Sequence, residues 1–127
     1  MGDSYGGGIV VDVNYAKDEV TIALDNELGG TYIGEDDYTL TSNYVEATNI
    51  NGVHGHNDWM LPNLFDAKRC IKNLTGDDAD KEMWTSDTYD ATANKIVKYI
   101  DEKVVVSHKS KSTTQHFFVI RKQVVTA

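Results

Sequence analysis

Hydrophobic and polar residues alternate in the first quarter of the chain and predict a β-hairpin. Residues 9–13 form a β-branched run after three consecutive glycines, which is typical of a strand. The polar segment 15–18 then reverses the chain. In residues 20–24, Val, Ile and Leu alternate with Thr and Ala, so the second strand is predicted to turn one apolar face inward.

The clearest helix is predicted after Pro62. Asn63 is a good N-cap, and apolar residues recur at helical spacing through residues 64–74. Gly76 is placed to end this helix. A second, shorter helix is expected within residues 43–51, where the periodicity is weaker.

Short strands are predicted in the last third of the chain. They cover residues 84–86, 95–100, 104–108 and 116–124, with a tight reversal at 101–102 and a polar loop at 109–115. A terminal hairpin, one or two helices and an antiparallel meander make the predicted fold class α+β. At 127 residues the chain has the size of one domain, so residues 1–127 are predicted to form a single unit.

Composition argues against several classes of protein. No apolar run approaches the roughly 20 residues that span a bilayer, and the N-terminus lacks the basic and apolar regions of a secretory signal. Membrane insertion and export are therefore not expected. Cys70 is the only cysteine, which excludes an internal disulfide. Its place in an apolar helical stripe predicts a buried side chain rather than a nucleophile.

Charge is unevenly distributed along the chain, whose net charge is −8. Residues 1–63 carry eleven acids and one lysine, whereas residues 64–127 carry nine acids and eleven bases. If the halves stay apart in space, copies can pack head-to-tail or dock a charged partner; if they intermix, the field averages out. A nucleic-acid partner is not expected, because the pI is near 4.8.

Three short strings are spread along the chain. Residues 2–10 read Gly-Asp-Ser-Tyr-Gly-Gly-Gly-Ile-Val, residues 57–62 read Asn-Asp-Trp-Met-Leu-Pro, and residues 84–90 read Trp-Thr-Ser-Asp-Thr-Tyr-Asp. In order and spacing they resemble the Lcl C-terminal domain family, a branch of the C-type-lectin-like fold related to the formylglycine-generating enzymes. The resemblance covers residues 2–122 and implies one C-type-lectin-like domain.

The resemblance also implies roles for single residues. The family has a Gly-Tyr-Ser-Asp-Trp-Arg-Leu-Pro pattern at the middle string, so Trp59, Leu61 and Pro62 are expected in the core, as is Trp84. Asp58 is expected to bond backbone N–H groups. Met60 stands where the pattern has Arg, which puts any ion pair made by that Arg in doubt.

Metal binding and catalysis are not expected. His54, His56 and Asp58 could share an ion, but no further spaced His or Cys pair accompanies them. The calcium triplets of sugar-binding lectins, Glu-Pro-Asn or Gln-Pro-Asp, do not occur, and the oxygen-rich run at 76–80 lacks a closing Glu. The formylglycine-generating relatives act through a cysteine pair, which this chain lacks. We predict no cofactor, no metal and no catalytic residue.

The predicted ligand-binding residues follow the third string. They mix aromatic and adaptable polar side chains, as recognition surfaces do. They are Tyr89, Asp90, Thr92, Asn94, Lys95, Lys98 and Tyr99. In the resembled fold, the loops near this string and the following strands form the exposed ligand face. The same residues suit a solvated strand edge equally well, and the pattern does not separate the two readings.

The function implied by the resemblance is that of a non-catalytic binding or decorating protein of a bacteriophage virion, such as a head-fibre or tail-associated subunit. Virion proteins assemble in the host cytoplasm and leave by lysis, so they need no signal peptide. The expected partners are copies of the chain, other virion proteins and a host surface glycan or protein. Two alternatives stay open: a bacterial cell-surface adhesin module and a purely structural capsid-cementing protein.

Overall fold

The computed structural model describes residues 2, 4–26, 30–75 and 78–125. Within these residues the fold is α+β, as predicted. The elements are β1 (Ser4–Tyr5), β2 (Gly8–Asn14), β3 (Glu19–Leu24), β4 (Gly34–Asp36), α1 (Tyr38–Ile50), a 3₁₀ turn (Val53–Gly55), α2 (Leu64–Cys70), a second 3₁₀ turn (Ile71–Asn73), β5 (Met83–Thr88), β6 (Ala93–Ile100), β7 (Lys103–Ser110), β8 (Gln115–Phe117) and β9 (Ile120–Val124).

The first sheet joins the beginning and the end of the described chain. Its strand order is β1-β2-β3-β9, and every pairing in it is antiparallel. The predicted hairpin is confirmed as β2 and β3, which face each other with Val10 opposite Ile22. Strand β9 lies on the other side of β3, where Lys122 is opposite Thr21. The terminal hairpin is therefore held directly by the last strand.

The second sheet contains the predicted meander. Its order is β4-β8-β5-β6-β7, with β5, β6 and β7 antiparallel and β8 parallel to β5. The strand predicted at 116–124 is divided between the two sheets, as β8 and β9. These strands are connected by Phe118 and Val119, which are fully buried. The chain therefore crosses from one sheet to the other through the interior of the molecule.

Helix α1 begins earlier than the weak periodicity predicted. Asp37 caps it, with its Oδ1 accepting a hydrogen bond from the Leu40 N–H at 2.8 Å. The buried residues of this helix are Thr41 and Thr48. Each threonine hydroxyl donates to a carbonyl oxygen four residues earlier, at 2.7 and 2.8 Å. Polar residues therefore occupy the inward face and hide its period.

Helix α2 begins as predicted and ends sooner. The Oδ1 of Asn63 accepts a hydrogen bond from the Asp66 N–H at 2.8 Å, which confirms the N-cap. The α-helix ends at Cys70 and continues as the second 3₁₀ turn, after which Leu74 is extended. Gly76, predicted to end the helix, lies outside the described residues.

Two buried clusters lie between the sheets and helices. The first includes Ala23, Cys70 and Val97, and the second includes the two tryptophans. Trp59 is 2% exposed and Trp84 0% exposed, as the resemblance implied. Strands β3 and β6 supply alternate residues to the two clusters, so one sheet cannot be displaced without opening both.

The acidic and basic halves of the sequence intermix in space. Asp12 accepts a 2.7 Å hydrogen bond from Arg69 Nε, and Asp58 accepts one of 2.8 Å from Arg121 Nε. In both pairs the acid comes from the first half of the chain and the base from the second. The two ion pairs favour the alternative in which opposite charges lie close together and the electrostatic field of the two halves averages out.

Candidate functional site

The seven predicted ligand-binding residues occupy three environments. Three lie in the turn after β5 and four lie along β6. Tyr89, Asp90 and Thr92 are exposed in the turn; Lys95, Lys98 and Tyr99 are half-buried in β6; Asn94 is buried. Sequence proximity therefore does not place them on a single surface.

The turn between β5 and β6 is fixed by its own hydrogen bonds. The carboxylate Oδ1 of Asp90 accepts the Thr92 N–H at 2.8 Å and the Thr92 hydroxyl at 3.1 Å. The Tyr89 N–H donates to the Ala93 carbonyl at 3.0 Å. The Thr92 backbone N–H is also the largest cause that lowers the pKa of Asp90 below its ordinary value. The turn thus holds an ionised carboxylate beside Tyr89.

His108, which was not among the predicted ligand-binding residues, completes this surface. The rings of Tyr89 and His108 stack with centroids 3.6 Å apart and planes 3° from parallel. Tyr89 nevertheless keeps 53% of its surface exposed. His108 lies on β7 directly opposite Lys95 of β6. We call the residues gathered here the Tyr89 patch: Tyr89, Asp90, Thr92, Lys95 and His108.

Asn94 does not belong to the Tyr89 patch. Its side chain has no exposed surface, and its Nδ2 donates to the Thr85 carbonyl at 2.9 Å. Alternation along β6 puts Asn94 on the same face as the buried Ile96, which explains its position. Contrary to the prediction, it cannot contribute to an exposed ligand face. Its Oδ1 has no hydrogen-bond partner among the described residues.

Tyr99 and Lys98 are also separated from the patch. Tyr99 is half-buried and packs against the first buried cluster. Lys98 is three residues from Lys95 and therefore points to the opposite face of β6. There it lines a small groove of about 150 Å³, together with Glu82, Ile96, Val105, Ser107 and Lys109. Lysine side chains of β6 thus serve two different surfaces.

The middle string, residues 57–62, contacts the last strand through Asp58 and Met60. Arg121 is 6% exposed, and its guanidinium contacts the Asp58 carboxylate at two points, 2.8 and 3.4 Å. Asp58 therefore bonds chiefly a guanidinium, and the expected backbone N–H interaction is a smaller one, with its own N–H. The hydrogen bond from Arg121 lowers the pKa of Asp58 below its ordinary value. Met60, which stands where the resembled pattern has Arg, exchanges two backbone hydrogen bonds with Ile120 at 2.7 and 2.8 Å.

The residues considered for a metal ion do not converge. His54 Nε2 lies 3.0 Å from Asp25 Oδ1, whereas Asp58 is engaged by Arg121. Across residues 4–26, 30–75 and 78–125, no three His, Cys, Asp or Glu side chains are grouped as a metal site would require. Part of the oxygen-rich run 76–80 lies outside those ranges.

A hollow that the sequence did not predict lies beside the β2–β3 turn. Its volume is about 550 Å³. It is lined by Val13, Asn14, Tyr15, Lys17, Asp18, Glu19, Val20, Val124 and Val125. These residues come from distant parts of the chain, and the pairing of β9 with β3 brings them together. Its lining mixes valine side chains with the polar residues of the β2–β3 turn.

Comparison with family models and with curated proteins adds no relative. No family model matches the sequence, and no curated protein matches it. The resemblance to the Lcl C-terminal domain family therefore rests on the three strings. In the part of the chain that the structure describes, no helix is long and apolar enough to cross a membrane.

Proposed function

We propose that this chain is a non-catalytic binding protein that recognises a host-surface glycan through the Tyr89 patch. The observation that carries the proposal is the exposed Tyr89–His108 stack beside the Asp90 carboxylate. The stack is flat and is held at both ends, by the β5–β6 turn and by β7. A preformed surface loses little entropy on binding, which favours recognition.

The chemistry of the patch suits a sugar ring. An aromatic ring offers an apolar surface for the C–H groups of a pyranose, while polar groups at its edge bond the hydroxyls. The Asp90 carboxylate accepts hydrogen bonds and the Lys95 ammonium donates them. The Thr92 hydroxyl, whose proton is donated to Asp90, can accept one. Acceptors and donors thus stand next to one exposed aromatic face.

We further propose that the protein is a decorating subunit of a bacteriophage virion, at a head fibre or on the tail. The resemblance of the three strings to the Lcl C-terminal domain family supports this role. Its partners would be copies of itself, other virion proteins and the host glycan. Repetition on a particle would also strengthen a weak single-site interaction through avidity.

A structural capsid-cementing role is the second candidate. It is favoured by β7, a sheet-edge strand with three exposed valines. A cementing protein would bind particles through such an edge and would not need the Tyr89 patch.

Two measurements test the proposal. The wild-type chain should bind selected members of an array of bacterial surface polysaccharides, and Lys98→Ala should leave that binding unchanged because Lys98 lies on the other face. Immunogold labelling should place the chain on intact phage particles. Absence of binding across the array would overturn glycan recognition. A particle-bound chain with no polysaccharide binding would favour cementing, and unlabelled particles would overturn the virion role.

A further inference from the structure

Strand β7 is an open edge with an apolar centre. It lies at the end of the five-stranded sheet and pairs only with β6 among the described residues. Val104, Val105 and Val106 are 37%, 47% and 42% exposed. Both faces of the strand therefore meet solvent. A long exposed edge of this kind is a template for pairing with another strand.

The register of the hairpin identifies which backbone groups are open. Asp101 and Glu102 form a two-residue turn in which both have positive φ, 51° and 62°. Ile100 and Lys103, which flank the turn, are paired. Flanking residues of such a turn exchange hydrogen bonds, and the bonding pairs then alternate along the strand. It follows that Lys103, Val105 and Ser107 bond toward β6.

The intervening residues of β7 face outward. Val104, Val106 and His108 direct their N–H and C=O groups away from β6 by the same alternation. Their side chains share one face of the sheet, the face that carries the Tyr89 patch. A partner strand would therefore find a regular row of donors and acceptors.

The charges at the two ends of β7 are opposite in sign, so they complement each other when two copies of the strand run antiparallel. The turn at 101–102 is acidic, Lys103 would face the neutral Ser107 of the other copy, the valines are neutral, and residues 108–109 are His and Lys. If a second copy runs antiparallel with its Val105 opposite Val105, then Asp101 of each copy faces Lys109 of the other. Glu102 likewise faces His108, whose imidazole ring can hydrogen-bond a carboxylate. The opposite charges of Asp101 and Lys109, placed across the paired strands, stabilise the pairing.

We propose that β7 pairs with β7 of a second copy about a two-fold axis at Val105. The two five-stranded sheets then join into one of ten strands. The contact is isologous, because the same strand serves both copies. It supplies about four backbone hydrogen bonds between Val104 and Val106 of opposite copies. An interface of this size is small, so the dimer is reversible.

The pairing has a consequence for ligand binding. Because the axis is perpendicular to the sheet, both Tyr89 patches face the same side. His108 of the first copy faces Glu102 of the second copy. In that second copy, His108 lies six residues further along the strand, so the two His108 residues are about 20 Å apart. If the proposed function holds, the dimer presents two sugar sites to one surface and gains avidity. The pairing itself does not depend on that function.

Sedimentation velocity on the full chain tests the pairing. Over about 1 to 500 µM, a range that brackets weak protein association, the wild type should shift from monomer to dimer. Val105→Lys puts two ammonium groups on the axis and should leave a monomer throughout. The matched control Ile50→Lys, at a residue of α1 that is 76% exposed, should dimerise like the wild type. Circular dichroism verifies that each variant is folded.

A charge exchange tests the register. Asp101→Lys should weaken the dimer at least tenfold. Adding Lys109→Asp, in a Glu82→Gln background that removes the carboxylate 3.9 Å from Lys109 Nζ, should restore it, because the inverted pair again has opposite signs. A wild type that stays monomeric, a Val105→Lys variant that still dimerises, or an inverted-pair variant that is not restored would each overturn the proposal. Polysaccharide binding of the monomeric variant is measured separately, so failure of the dimer and failure of the glycan site are distinguishable.

Discussion

The guanidinium of Arg121 and the carboxylate of Asp58 form a two-point contact across 63 residues of sequence. The same guanidinium donates from Nη1 to the carbonyl oxygen of Gly6 at 2.9 Å. One nearly buried arginine therefore connects the glycine turn at the start of the chain, the middle string and the last strand. These contacts link β9 to the glycine turn and to the middle string.

Replacing Asp58 by Asn should destabilise the fold at neutral pH. The change leaves a nearly buried guanidinium without its charged partner, but the Asp58 side chain is 50% exposed and solvent screens the pair, so we expect a loss of about 1 kcal/mol. Arg121 lowers the pKa of Asp58 in the folded state. The stabilisation is therefore full above the ordinary value of 3.8 and is lost as the pH falls through the lower folded pKa.

Urea unfolding at a series of pH values checks this prediction. The gap between the wild type and Asp58→Asn should be widest near pH 7 and should close in acid. The exposed Glu46→Gln, which also removes one carboxylate, should behave like the wild type near pH 7. A gap that persists unchanged into strong acid would contradict an ionic role for Asp58.

Gly8→Ala should damage the terminal hairpin. A Cβ at Gly8 would overlap the backbone carbonyl oxygen of Ala23, which cannot move without separating β2 from β3. We expect a loss of more than about 2 kcal/mol, as for overpacking against a rigid neighbour. Gly52→Ala is the control, because its φ is +58° but nothing lies within 4 Å of the added Cβ. It should cost about 1 kcal/mol from backbone strain.

Thermal unfolding of both glycine variants separates the two effects. Equal losses of stability in the two variants would contradict the prediction, because they would show that the contact with the Ala23 carbonyl adds nothing to the cost of Gly8→Ala.

Cys70 should be unreactive in the folded protein. Its side chain is fully buried, and burial raises the pKa of the thiol to about 12. Because the thiolate is the reactive form, a disulfide-exchange reagent at pH 8 should modify the single thiol only after unfolding in urea. Stoichiometric modification within seconds under native conditions would show that this part of the core opens readily.

The elements predicted correctly are those in which the apolar positions of the sequence are also the buried positions of the structure. In β2 and β3 the β-branched runs coincide with buried strands, and in α2 an N-cap precedes an apolar stripe. The prediction made helix α1 too short, because its buried positions are the threonines Thr41 and Thr48 and not apolar residues. Their hydroxyls are satisfied by carbonyl groups of the same helix. The break between β8 and β9 was missed because an unbroken apolar run does not reveal where a chain changes sheets.

The candidate site was predicted in part. The exposed turn residues Tyr89, Asp90 and Thr92 were identified by composition. Asn94 was misplaced because composition ignores the alternation of a strand. His108 was missed although a signal existed: the reversal at 101–102 sets a register in which His108 faces Lys95. Stacking of Tyr89 on His108 depends on tertiary geometry and could not be read from the pattern.

The affinity of Tyr89→Ala for the polysaccharide selected on the array tests the central claim most directly. Truncating Tyr89 removes the exposed aromatic face, so biolayer interferometry should report binding weaker by about tenfold or more. Tyr15→Ala is the control, because Tyr15 is 87% exposed and lies at the β2–β3 turn away from the patch. Its affinity should equal that of the wild type. Unchanged binding by a folded Tyr89→Ala variant would contradict the assignment of the Tyr89 patch as the ligand site.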